Sequence, residues 1–197
     1  MESISFITAT PYVPQILETL ELYRPPLPIV WNTSGYERVE TLRLLAGAVD
    51  VYLPDLKHFS PRMGKLCAGA EDYFAVTSAA IQEMVRQTGV PCYNEAGIMT
   101  RGVLIRHLIL PGTTGESIAL LDWVKETLPE GIPVSIMQQY VPCNDVDIPG
   151  LTRRITRREY NRVVEHMAAL GLPGFTQGAT SATVDFVPLF NADESFI

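Results

Sequence analysis

At 197 residues, with 47% hydrophobic and 19% charged residues, the chain has the size and balance of one folded domain around a single core. A formal net charge of −7 excludes an electrostatic footprint for nucleic acid, apart from a short arginine stripe between Arg153 and Arg158. No apolar run is long enough to span a bilayer, and MESISFIT lacks the charged and apolar regions of a signal peptide, so a cytoplasmic protein without membrane contact is expected.

Short β-branched, apolar runs alternate with amphipathic segments along the chain, the pattern of βα units around a mostly parallel sheet. The first run is SISFIT, followed by a helix candidate, VPQILETLELY, with Val13, Ile16, Leu17 and Leu20 on one stripe. PIVWNT and DVYLPDL are the second and third strands. A helix over EDYFAVTSAAIQEMVRQTG is expected to stop at Gly89. VPCYNEAGIMTRGV, residues 90 to 103, reads as an inserted hairpin turning at Glu95 to Gly97, outside the core units. GVLIRHLIL is the fourth strand and GESIALLDWVKETL the helix after it, with GTTGES as a turn capped by Thr113 or Thr114. PVSIMQQY is the fifth strand. The helix TRREYNRVVEHMAALGL opens at Thr156 with Glu159 three residues on, a capping box. The tail from Gly174 onward shows no clear period and reads as an extended arm. Five core strands are too few for a closed eight-stranded barrel, and with no linker or low-complexity tract residues 1–197 read as a single domain.

Cys67, Cys92 and Cys143 are three thiols at wide spacing, which points to reduced structural cysteines rather than disulfides or a metal site. His58, His107 and His166 lack metal-ligand spacing and read as ordinary core or surface histidines.

Ligand sites in parallel α/β folds lie at the carboxyl ends of the strands, and here each end is polar. The first strand ends in Thr8, Ala9 and Thr10, the second in Asn32, Thr33, Ser34 and Gly35, the third in Asp55 and Lys57, the fifth in Gln138, Gln139 and Tyr140. Period-two alternation puts Val51, Leu53, Asp55 and Lys57 on one inward face, and Arg106 on a face with Leu104, Leu108 and Leu110. A guanidinium there must find a partner. Two readings stand: a structural ion pair between Arg106 and Asp55, or a polar floor for a small ligand carrying both an acid and an amine. Lys57 as a Schiff-base nucleophile is a third use of the same residues, weakened because a neighbouring Asp55 holds the amine protonated.

As a set, FITATPYVPQI, VWNTSGYERVETL, DVYLPDLKHFS, VLIRHLILPG and SIMQQYVP resemble, in order and spacing, the radical S-adenosylmethionine enzymes, nearest to relatives of the pyruvate formate-lyase activating enzyme. The match runs from Ile4 to Gln177. The resemblance implies a partial (β/α) barrel whose second to sixth strands are the five above. It implies S-adenosylmethionine as cofactor. Thr8-Ala9-Thr10 stands where the family has a Gly-Gly-Glu type motif meeting the ligand's amino group. Asn32-Thr33-Ser34-Gly35 is similar to Asp-Thr-Asn-Gly, and Asp55 and Lys57 match the Asp-x-Lys pair. Arg106 is similar to an arginine facing the cofactor, and the sixth-strand contact falls to Gln138, Gln139 or Tyr140.

The family's CxxxCxxC loop, which holds a [4Fe-4S] cluster, is not in these 197 residues, and the three cysteines do not replace it by spacing. The expectation is therefore a truncated radical-enzyme body of oxidoreductase class, lacking its first βα unit and not competent alone. Its open barrel edge predicts a homodimer or a covering partner chain, with a protein among the substrates the resemblance allows. The alternatives are a cluster-free module binding adenosylmethionine or another small molecule, and a barrel enzyme using Lys57.

Overall fold

A computed structural model describes residues 3–142, 148 and 150–176. In chain order it runs β1 (Ile4–Ile7), a single 3-10 turn over Thr10–Tyr12, α1 (Val13–Leu22), β2 (Ile29–Thr33), α2 (Val39–Leu44), β3 (Val51–Pro54), α3 (Pro61–Ala68) and α4 (Tyr73–Thr88). It continues with β4 (Cys92–Tyr93), β5 (Met99–Val103), β6 (Ile105–Leu108), α5 (Thr114–Thr127), β7 (Val134–Met137), α6 (Arg157–Ala169) and β8 (Gly174–Thr176).

β1, β2, β3 and β5 form one parallel array, and β6, β7 and β8 a second. The two arrays meet at Leu104: its amide donates to Tyr52 O, and two residues on Leu56 N donates to Arg106 O, extending β3 along β6. The result is a curved, mostly parallel sheet with β1 and β8 at its edges, a partial barrel without closure among the described residues.

The sheet register sorts the side chains. Phe6, Trp31 and Tyr52 are register partners on the helix-covered face, and Trp31 and Tyr52 are almost fully buried. Ile7, Asn32 and Leu53 share the opposite, concave face, where Ile7 is 67% exposed. On the covered face Leu42, Leu45, Ile81, Met84, Ile105, Leu120, Leu121 and Ile136 complete the core. α4 buries Tyr73, Thr77, Ala80, Ile81, Met84, Val85 and Thr88, a three-and-four spacing that presents one helical face to the sheet, and stops at Gly89. Both halves of the capping box at Thr156 and Glu159 are formed.

Several expectations need correction. The hairpin over 90–103 exists, but its return strand β5 enters the main sheet parallel to β3 and is a core unit. The strand expected over 102–110 starts earlier and breaks at Leu104 into β5 and β6, because one half pairs with β3 and the other with β7. Two helices went unassigned. α2 spans under two turns, too short to show a period, whereas α3 carries ordinary signals: Ser60 accepts from Met63 N, Pro61 opens the helix and Gly69 ends it at φ 68°. The start of the tail is a strand, β8; residues 177–197 and Cys143 lie outside the described part. Thr113 is the cap of α5, but its hydroxyl turns back to Leu110 O.

Candidate functional site

Asp55 lies just beyond β3 and Arg106 in β6, and the two are bridged in register at the point where the arrays join. Arg106 Nη2 donates to Asn32 Oδ1 at 2.7 Å and lies 2.7 Å from Asp55 Oδ1; Lys57 Nζ lies 3.1 Å from Asp55 Oδ2. Four of the residues singled out from sequence therefore form one network across three strands. The ion pair of Arg106 with Asp55 is present. The face carrying it is the open concave one rather than packed interior: the Asp55, Arg106 and Lys57 side chains are 16%, 27% and 41% exposed. Arg106 Nε is buried and has no hydrogen-bond partner. Two cations against one carboxylate leave the network at +1, a charge suited to a ligand bearing a carboxylate.

The other site candidates lie around this network. Thr8, at the carboxyl end of β1, holds φ 52°, in the left-handed region that a β-branched residue rarely enters. It is the position where the resembled motif has glycine. Thr10 Oγ1 donates to Glu37 Oε1 at 2.7 Å, and Thr33 Oγ1 donates to the same oxygen at 2.6 Å, so this buried carboxylate ties the ends of β1 and β2 together. Ser34 O and Asp55 O both lie within reach of the Tyr73 hydroxyl, which also accepts from Lys57 N. Gln138, Gln139 and Tyr140 follow β7, and Tyr140 OH donates to Leu151 O, anchoring the segment that leads to α6.

Gly35 lets the second and third strand ends approach. At φ 82°, a Cβ on it would sit 2.1 Å from Asp55 O, so only glycine allows the turn after β2 to lie against the Asp55 backbone. Tyr73 supports this contact from below, stacked on Tyr36 at 5.9 Å and met edge-on by His58 at 5.2 Å. Burial raises the Tyr73 hydroxyl to about 12, so it remains a protonated donor. Burial, helped by the neighbouring Lys57 cation, lowers His58 to about 4, so its ring is neutral.

His107 interrupts an apolar strand for a structural reason. Facing away from Arg106, it is buried, with Nδ1 2.7 Å from Leu56 O and Nε2 2.8 Å from Ser117 Oγ; burial lowers its pKa. The neutral ring donating to Leu56 and accepting from Ser117 satisfies both nitrogens. His166 pairs with Asp122 between α5 and α6. Glu116 of α5 reaches across to accept from the amides of Phe59 and Ser60; burial opposes its ionisation, but these amide bonds outweigh it and lower the pKa.

Glu37, Tyr73 and His58 belong to the site's support, and sequence reasoning missed them in that role. Glu37 had one legible cue, its place in the turn behind Asn32-Thr33-Ser34-Gly35. Tyr73 had none, because only the packing of α4 under β3 brings it there.

No protein-family model matches the chain. An uncharacterized protein of Methanocaldococcus jannaschii is 30% identical over 158 residues, covering 79% of this chain; the chain spans 42% of that relative's length. Among solved structures, a domain of the pyruvate-formate lyase-activating enzyme from Bacteroides vulgatus superposes with a TM-score of 0.66 at 11% identity, over 90% of this chain and 100% of that one. This chain has the activating-enzyme domain fold. In that fold the polar network stands at the carboxyl ends of the strands, on the open face of the partial barrel. No described helix is long and apolar enough to cross a membrane.

Proposed function

We propose that this chain is a radical-enzyme-type domain that binds S-adenosylmethionine on its open concave face. The observation that carries the reading is the network of Asn32, Asp55, Lys57 and Arg106 on the open face of the sheet. An amino-acid end group complements this set: Arg106 and Lys57 offer donors to its carboxylate, and Asp55 and Asn32 offer acceptors to its ammonium. Thr8, Thr10 and Ser34 frame the same end of the sheet, and Gln138, Gln139 and Tyr140 follow the adjoining strand.

The [4Fe-4S] cluster of the resembled family does not fit the two described thiols. Cys67 lies in α3 and the exposed Cys92 in β4, and no three metal-ligating side chains converge among the described residues. Radical formation is therefore not assigned to these residues; what they supply is binding and orientation. A Schiff-base role for Lys57 is disfavoured, because its side chain is 41% exposed rather than desolvated and its Nζ is engaged by Asp55 at 3.1 Å.

Titration calorimetry with S-adenosylmethionine tests the reading. Saturable heat with the wild type and its loss in Arg106→Ala are expected. No heat, or equal heat after the substitution, overturns it.

The open edge supports a further element of the proposal, a second copy of the chain pairing along β1. Ile4 and Thr8 amides donate to Pro28 and Asn32, so the intervening amides of Ser5 and Ile7 point to the side that no described strand occupies. Sedimentation equilibrium is expected to show a dimer that Ile7→Lys weakens; a monomer across the micromolar range rejects the pairing.

A further inference from the structure

The arginine stripe excepted from the charge argument above occupies a defined place in the fold. Residues 153–162 contain Arg153, Arg154, Arg157, Arg158, Arg162 and a single acid, Glu159, a net +4; the chain's −7 less this +4 leaves −11 on all other residues. Arg153 is spent on Glu159, which also caps α6 and accepts from Gly112 N. Arg157, Arg158 and Arg162 are exposed and line a groove with Thr114, the first residue of α5, with Asn161, and with two carboxylates, Glu159, already paired with Arg153, and Glu165.

The placement of Arg157 and Arg158 is electrostatically unfavourable in the free chain, whereas Arg162 has Glu159 and Glu165 three residues to either side. Arg157 and Arg158 are the first two residues of α6, where the helix dipole is already positive, and Arg158 and Arg162 are like charges four apart. None of the three meets a carboxylate among the described residues. Because α5 and α6 follow β6 and β7, the groove lies on the rim of the strand end that carries Asp55 and Arg106.

We infer that Arg157, Arg158 and Arg162 form a docking surface for an acidic segment of a partner protein, held at the rim of the candidate site. Guanidinium forks bind carboxylates bidentately, which suits an acidic peptide. A nucleic acid is disfavoured. Tyr160, the aromatic residue among these arginines, is buried and offers no stacking face to a base.

The test is fluorescence anisotropy with a labelled octaglutamate peptide, using the full chain at low salt. Expected is saturable binding that weakens at least tenfold in Arg157→Gln/Arg158→Gln/Arg162→Gln. The control Arg38→Gln/Arg43→Gln/Lys65→Gln, which changes net charge equally, leaves it within twofold. Thermal unfolding of the first triple variant is expected at or above the wild-type temperature, since the substitutions relieve repulsion. Absence of saturable binding overturns the inference, as do equal losses in both triple variants and tighter binding of an eight-phosphate single-stranded oligonucleotide. Adenosylmethionine binding is read separately by calorimetry, so failure of that reading leaves this one standing.

Discussion

Arg106→Met removes the guanidinium while keeping much of its aliphatic bulk, and so tests whether the bridge at the junction of the two arrays holds the strand ends. Breaking a fully buried ion pair costs about 3–5 kcal/mol, whereas an exposed pair is worth about 0.2–1 kcal/mol. Arg106 and Asp55 side chains, 27% and 16% exposed, lie between these limits, so a loss of about 2 kcal/mol is expected. In a chain of this length that lowers the melting temperature by roughly 4–8 °C. Lys57, 41% exposed, is the internal control: Lys57→Met is expected to cost under about 1 kcal/mol. Urea unfolding of both single variants, of Asp55→Asn and of Asp55→Asn/Arg106→Met closes the cycle, with a coupling of at least about 1 kcal/mol for the Asp55 and Arg106 pair. Equal costs for Arg106→Met and Lys57→Met, or a coupling near zero, would refute the view that this bridge joins the arrays.

Other consequences follow from the same geometry. Thr8→Gly relieves a left-handed backbone at an exposed position, and after the extra unfolded-state entropy of glycine a gain of about 0.5–1 kcal/mol is expected in chemical denaturation. Gly35→Ala puts a Cβ 2.1 Å from Asp55 O at φ 82°, and a loss of at least about 2 kcal/mol, with weaker adenosylmethionine heat, is the expected result. His58 is neutral in the fold, with its pKa at about 4 against an ordinary 6.5, so the unfolded chain binds more protons between these values. Its contribution is full above the ordinary value and is lost as pH falls toward the folded one. His58→Gln should therefore flatten the stability profile in that window by up to about 1.4 kcal/mol per pH unit, read by thermal unfolding; the lowered His107 keeps part of the slope.

Among the described residues, much of the architecture was legible in the sequence because its causes are local. The strands over Ile4–Ile7, Ile29–Thr33, Val51–Pro54 and Val134–Met137, the stop of α4 at Gly89 and the capping box of α6 follow from side-chain period and end chemistry. The face shared by Asp55 and Lys57 followed from strand alternation, and their neighbourhood with Arg106 from the polar strand ends.

What tertiary structure alone decided is non-local. A strand's partners are set by packing far along the chain, so GVLIRHLIL could not announce that it would split at Leu104, nor the hairpin that its return arm would enter the main sheet. The concave face looked like interior because an apolar alternation reads the same whether the facing wall is present or open. Glu37 and Tyr73 became part of the site for the same reason: each acts through a contact made across 18 to 39 residues of chain, where sequence spacing carries no distance information.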